Sequence, residues 1–215
     1  MKAKINEIFF SIQGEGVLIG TPTIFIRLYG CNLRCSWCDS MYSVEGDDFK
    51  ELSISNIIKE TQKYRCDNIC ITGGEPLLQF DFVTLLTEKL LKVEKKIILE
   101  TAGHISPPKI YQNINTIVSM DCKCPSSKME GKSNKKNLLN LSKKDQIKFV
   151  IKDETDYLYA KKLTENNNFN ANIIFQPVWG SNPGIIADKV LKDNLDVRVL
   201  PQIHKNFWGD IYHKI

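Results

Sequence analysis

Cys31, Cys35 and Cys38 stand in the stretch GCNLRCSWCDS, which packs three of the chain's seven cysteines into eight residues. Gaps of three residues and then two suit neither a disulfide framework nor a complete tetrahedral zinc site, which takes four ligands, usually as two separated pairs. Thiolates are the usual holders of iron–sulfur clusters. Three of them on a four-iron cubane leave one iron with an open position, the feature that separates catalytic from closed structural metal sites. A zinc knuckle completed from elsewhere, or cysteines that merely pack, remain alternatives at this point.

A second motif, ITGGEP over residues 71–76, ends another apolar run. Its two glycines allow close backbone approach, and Glu75 offers an acceptor for a cationic amine. If the two runs are neighbouring strands, both motifs face one pocket.

The elements that would position them are legible as short runs rich in β-branched residues at 23–28, 68–72, 97–101, 116–120, 147–151, 173–177 and 197–200. Their apolar density predicts strands covered on both faces, as in a parallel sheet. Amphipathic helices are predicted between them. One carries Ile54, Ile57, Ile58 and Thr61; another, capped by Asp81, carries Phe82, Leu85, Leu86, Leu90 and Val93. Two more are predicted over 154–165 and from Pro183 to about 193. The 102–115 connection, with Pro107 and Pro108, is too broken for a full crossover helix. The expectation is an α/β fold with a curved, barrel-like sheet that lacks some helices, and binding groups at the C-terminal strand ends.

Composition narrows the function classes. The chain has 215 residues, 42% hydrophobic and 25% charged, which is ordinary for a soluble domain. No apolar run reaches the length of a signal peptide or a membrane span, so a cytoplasmic setting with reduced thiols is expected and no membrane partner. A net charge of +4 is too mild to imply nucleic-acid binding. Seven lysines between Lys123 and Lys144 read as a solvated, mobile surface loop, or else as a landing patch for an anionic partner.

The Cys-x3-Cys-x2-Cys loop followed by Gly-Gly-Glu-Pro resembles the radical S-adenosylmethionine (SAM) enzymes. That resemblance implies a [4Fe–4S] cluster on Cys31, Cys35 and Cys38, whose fourth iron binds SAM for reductive cleavage to a 5′-deoxyadenosyl radical. A wider set of segments covers most of the chain: EIFFSIQGEG, GTPTIFIRLYGCNLRCSWCDS, ITGGEPLLQ, ETAG, KCPSS, KFVI, QPV and LPQIHK. In this order they are similar to the 7-carboxy-7-deazaguanine synthase family. The resemblance implies a single domain over 1–215 with a partial, trimmed β/α barrel of the radical SAM type. It also implies Mg2+, a homodimer, a reducing partner such as flavodoxin or ferredoxin, and a carboxylated tetrahydropterin as substrate.

By the same resemblance, Ile12, Gln13 and Gly14 hold the pterin, Arg27 its carboxylate, and Thr72 and His204 make further contacts. Glu15 lies beside them as an acceptor for ring N–H groups. A structural salt bridge is the rival role for Arg27, whose fork in an apolar strand needs an anion of some kind. Ser40, where relatives often carry threonine, offers a hydroxyl to Mg2+, with substrate oxygens and water completing the shell. The SAM positions are Trp37, Cys38, Asp39 and Gly74, then Asp121, Cys122 and Lys123, then Gln176, Pro177, Val178 and Trp179. Asp121 and Cys122 depart from the commoner Ser-Pro-Lys form. No catalytic base stands out.

Cys66, Cys70, Cys122 and Cys124 are left over, for a second cluster or for packing; the Cys66-x3-Cys70 spacing puts that pair on one face of a strand or helix, which packing alone explains. His104, His204 and His213 form no ligand pattern. Two rival functions remain: an activase that installs a glycyl radical on a partner protein, and a non-enzymatic zinc or iron–sulfur module.

Overall fold

The structure is a computed structural model and describes residues 1–209; His213 lies outside the described residues. The elements are β1 (Lys2–Ile12), β2 (Pro22–Leu28), β3 (Lys50–Ser53), α1 (Ile54–Thr61), β4 (Asn68–Gly73), α2 (Phe80–Leu91) and β5 (Lys96–Thr101). After them come β6 (Thr116–Asp121), α3 (Lys135–Leu139), β7 (Gln146–Ile151), α4 (Glu154–Glu165), β8 (Asn172–Pro177), α5 (Pro183–Lys192), β9 (Arg198–Val199) and α6 (Ile203–Trp208). The strands form one sheet in the order β3-β1-β2-β4-β5-β6-β7-β8-β9. From β2 onward all neighbours are parallel, while β1 is antiparallel to both β2 and β3. The sheet has two edges and is therefore a trimmed barrel, open where a full one would close. The β5–β6 connection carries only the short 3-10 turn Lys109–Gln112, as its prolines predict.

Side chains alternate along each parallel strand. Ile24, Ile26, Leu28, Ile69, Ile71, Ile97, Leu99, Ile147, Phe149 and Phe175 point outward into the core shared with Ile57, Phe82, Leu86, Leu90, Tyr157 and Val190 of the helices. The residues between them point into the barrel. Phe9, Phe25, Cys70 and Ile98 make a separate apolar floor there, with Phe9 and Phe25 stacked 4.9 Å apart.

β1 and β3 were absent from the predicted runs because they alternate instead of staying apolar. β1 also changes register between Ile5 and Glu7. Ala3 and Ile5 belong to the outer core, but beyond the bulge Glu7 and Phe9 pair directly with Arg27 and Phe25 inside the barrel. One extra residue has reassigned the faces.

Four details correct the sequence reading. Asp81 does not cap α2: a 3-10 turn, Pro76–Gln79, runs straight into Phe80, and Asp81 sits in the first turn, where a carboxylate favours the helix dipole. Val93 lies past the end of α2 and is exposed. The lysine-rich segment is no uniform solvated loop. Lys123 is buried, and the Lys144 ammonium donates to the Tyr111 carbonyl at 2.8 Å and the Thr116 carbonyl at 2.7 Å. Cys66 and Cys70 do not share a face: Cys66 packs in the outer core and Cys70 in the barrel floor. Among the described residues no helix is long and apolar enough to cross a membrane.

Lys144→Met should cost about 1–3 kcal/mol in urea unfolding, because two buried carbonyls lose their donor. Lys135→Ala and Lys136→Ala, on the exposed side of the same segment, should stay within about 0.5 kcal/mol.

Candidate active site

The cysteine loop is placed by backbone contact. A Cβ at Gly73, which has φ +132°, would lie 2.0 Å from the Leu28 carbonyl oxygen, and one at Gly74 would lie 2.2 Å from the Gly30 oxygen and 3.0 Å from Cys31 Cβ. Only glycine lets β4 end against the start of that loop. The Gly74 N–H donates to Leu28 O at 3.1 Å and the Glu75 N–H to Gly30 O at 2.8 Å. The far side of the loop rests on the turn after β6. Ser36 N–H donates to Ser127 O at 3.0 Å, and the Trp37 indole N–H donates to Ser126 Oγ at 3.1 Å. Asp156 holds that turn by accepting from the Ser126 N–H at 2.8 Å.

Glu75 has a different role from the one its motif suggested. It is 1% exposed and accepts from Leu77 N–H at 3.0 Å, the Thr101 hydroxyl at 2.9 Å and Ala102 N–H at 2.8 Å. With these donors it ties β4 to the end of β5 and does not line the cavity.

Above the apolar floor lies a cavity of about 460 Å3, open at the C-terminal ends of the strands. Ile12, Gln13, Gly14, Glu15, Arg27, Thr72 and His204 line it, together with Cys31, Cys35, Cys38 and Ser40. So do Trp37, Asp39, Gly74, Asp121, Lys123, Gln176, Val178 and Trp179. Cys122 and Pro177 do not: strand alternation turns Cys122 into the outer core between the inward Asp121 and Lys123, and Pro177 falls between Gln176 and Val178 in the same way.

Arg27 makes the structural salt bridge that was one of its two candidate roles. Its Nε donates to Glu7 Oε1 at 2.8 Å, and Glu7 also accepts from the Tyr42 hydroxyl at 3.1 Å. That bond uses one edge of the guanidinium and leaves the terminal nitrogens without a hydrogen-bond partner among the described residues. Burial alone would raise the Glu15 carboxyl, but Lys148, His204 and the bonds from Lys148 and Gln202 bring it from 4.5 down to about 2. Burial lowers His204 below 6.5, so it is neutral at pH 7. Its ring lies so close to Gly14 that a Cβ there would stand 1.8 Å from Nδ1.

All seven cysteines are free. Burial raises the thiols of Cys31 and Cys35, so holding them as thiolates calls for nearby positive charge of the kind a metal supplies. Among the described residues no set of three His, Cys, Asp or Glu side chains converges on one point, as a single ion requires. The three loop thiols share a cavity wall without converging, and a cluster with a separate iron for each thiolate accommodates that. A small polar cofactor also fits beside them: Asp121 Oδ1 and Gln176 Oε1 are buried acceptors with no partner. Cys66, Cys70, Cys122 and Cys124 are buried in packing positions.

Residues 25–127 match the family model described as Radical SAM superfamily. The chain is 39% identical to 7-carboxy-7-deazaguanine synthase of Thermoplasma acidophilum over 96% of its own length and 98% of that protein. It is 40% identical to the synthase of Methanospirillum hungatei over 94% and 84%. The chain belongs to the 7-carboxy-7-deazaguanine synthase family. The crystal structure of QueE from Escherichia coli superposes with a TM-score of 0.76 at 25% identity, covering 94% of each chain. As a radical SAM lyase of 7-deazapurine biosynthesis, the protein takes a [4Fe–4S] cluster and SAM, and the cysteines and orphaned acceptors fit both.

Sequence reasoning missed Tyr42, Glu100, Lys148 and Gln202 in the cavity wall, and Glu7 as the partner of Arg27. Lys148 carried the same signal as Arg27, a cation inside an apolar strand, yet IKFVI was read only for its strand.

Glu75→Gln should cost about 1–3 kcal/mol of stability, since an NH2 would replace an acceptor among three donors. Because the folded Glu15 carboxyl titrates near 2 and the unfolded one near 4.5, its contribution is complete above pH 4.5 and lost as pH falls toward 2. Glu15→Gln should therefore flatten the fall in unfolding free energy across that window.

Proposed function

We propose that the cavity binds 6-carboxy-5,6,7,8-tetrahydropterin and that the protein converts it to 7-carboxy-7-deazaguanine with loss of ammonia. The observation that carries this reading is that the cysteine loop, Arg27 and the Gln13–Glu15 loop line one cavity. A flat, anionic heterocycle fits between a guanidinium with free nitrogens and a loop that offers an amide and a carboxylate.

Arg27, held by Glu7, takes the substrate carboxylate. Ile12, Gln13, Gly14, Thr72 and His204 flank the ring, and Glu15 accepts from its N–H groups. Trp37, Asp39, Gly74, Asp121, Lys123, Gln176, Val178 and Trp179 surround SAM. The Lys123 ammonium, 2.6 Å from Asp121 and 5.3 Å from the Trp37 ring centroid, is already fixed between two of these neighbours. Ser40 would offer its hydroxyl to Mg2+, and since one hydroxyl cannot complete a Mg2+ site, substrate oxygens and water would have to supply the rest, so the metal should bind well only with substrate present.

Cys31, Cys35 and Cys38 would hold the cluster, which when reduced supplies the electron that cleaves SAM and starts hydrogen abstraction at the carbon bearing the carboxylate. The chain itself orients the two reactants and excludes water from them. Overall, both C–N bonds of one ring nitrogen break, one C–C bond forms to contract the ring, and the nitrogen leaves as ammonia, with no net oxidation of the substrate. The protein acts as a single domain and a homodimer in the cytoplasm, with electrons from a flavodoxin or ferredoxin. Seven free thiols agree with a reducing compartment.

An anaerobic assay of the reconstituted, reduced protein with SAM, Mg2+ and the tetrahydropterin should yield 7-carboxy-7-deazaguanine by mass spectrometry, and Cys31→Ala should yield none. Arg27→Ala should raise KM at least about tenfold through the lost charge-assisted pair. Release of 5′-deoxyadenosine with the pterin untouched would refute the substrate.

A further inference from the structure

Three residues that no motif joined meet across the cavity. Lys148, on β7, is 7% exposed in its side chain; its ammonium contacts Glu15 Oε2 of the N-terminal loop and lies 3.3 Å from Glu100 Oε2 at the end of β5. The surrounding protein groups donate to the same two carboxylates. Gln202 Nε2 donates to Glu15 Oε1 at 2.6 Å, and the Ser119 hydroxyl donates to Glu100. Ser119 Oγ accepts from Gln146 Nε2 at 2.6 Å, and Gln146 Oε1 accepts from the Val17 N–H at 2.7 Å. Donors therefore run in one direction and end on Glu15 and Glu100.

An ionised carboxylate accepts at about four positions. The protein contacts each of these carboxylates through two donors, and both line the cavity. The positions left over can only accept while both groups stay charged. Burial pushes Glu100 above its ordinary value, Lys148 pulls against that rise without cancelling it, and Glu15 adds to it. The other groups facing the trio are Asp121 at the end of β6 and Lys123 just after it, His204 from α6, and the Cys70 thiol of β4. Lys123 is committed to Asp121, so Lys148 is the cation in contact with both carboxylates. Without it, two buried carboxylates would share a proton, and one of them would become a donor.

We propose that Lys148 is a positioning residue for substrate specificity: it holds Glu15 and Glu100 as a paired acceptor that selects a ring edge with adjacent N–H donors. The amino-pyrimidinone edge of a pterin has such donors; a ring with a carbonyl in place of the amino group sets an acceptor against acceptors. The proposal rests on the pterin reading above and adds which edge is read and by what. Glu15 alone, with a neutral Glu100, would not discriminate in this way.

The test is anaerobic titration calorimetry on the cluster-loaded protein with SAM, using 6-carboxypterin and its 2-oxo counterpart, 6-carboxylumazine. Wild type should prefer the amino form by at least about tenfold, since buried acceptors left unpaired are costly. Lys148→Met should lose that preference, and its binding of the amino form should recover as pH rises and the shared proton leaves. Lys148→Arg should keep both the preference and the flatter pH profile. Equal binding of the two rings by wild type would overturn the proposal while leaving the substrate assay above untouched, and this comparison needs no variant to fold. A folded, cluster-loaded Lys148→Met with wild-type preference and pH profile would also overturn it. Wild type that binds neither ring would overturn the proposal and the pterin reading together.

Discussion

The site depends on the contact between two pieces of backbone, Gly73–Gly74 at the end of β4 and Leu28–Gly30 at the end of β2. With glycines there, the parallel pair β2–β4 continues past its last side-chain-bearing residue, and the two following loops are bonded to each other at 2.8 and 3.1 Å. The cysteine loop is thereby fixed at its start by β4 and later by the Ser126–Ser127 turn after β6. Any side chain at Gly73 or Gly74 would push the loop away from the sheet. The glycines thus serve the protein's own backbone first, and the cavity inherits the result.

The second constraint is the alternation of the strands. Outward residues are almost all aliphatic and bury against the helices; inward ones form an apolar floor and, two residues further along, a charged layer. Phe25 and Arg27 on β2, and Ile98 and Glu100 on β5, are such steps; on β7 the polar Gln146 precedes Lys148 by the same two residues. Buried charges are tolerated because each has a partner: Arg27 with Glu7, Lys123 with Asp121, Lys148 with Glu15 and Glu100. The bulge in β1 belongs to the same scheme, since without it Glu7 would face the outer core and Arg27 would lose its anchor.

The sheet was legible wherever strands are covered on both faces, because continuous apolar runs survive any rearrangement of their neighbours. The chemistry was legible where several residues of unusual type crowd together, as in the cysteine loop and the Arg27 strand. What stayed hidden depended on partners distant in the chain. Glu75 looks like a ligand group until Thr101 and Ala102 arrive from β5. Lys144 looks solvated until the Tyr111 and Thr116 carbonyls surround it. Cys122 and Pro177 shared a motif with true wall residues, and only the two-residue period of the strand separates them. Lys148 and Glu100 stand 48 residues apart in the chain, and only the sheet brings their charges within 3.3 Å.

The open edge of the barrel raises a last question, namely what closes the cavity where no strand does. The answer is a set of contacts among two loops and the start of α6. The Ile203 N–H at the start of α6 donates to Gly14 O at 3.1 Å, Gln202 bonds to Glu15, and Lys205 stands 3.3 Å from Asp39 beside Cys38. The N-terminal loop, the cluster loop and the C-terminal helix therefore meet as one wall. Because Asp39 sits in the loop that would hold the cluster and Glu15 in the loop proposed to read the ring, Gln202 and Lys205 would link the two ends of the proposed reaction. A shift of α6 would move both reactants' supports together, which keeps their mutual orientation even when the wall itself gives.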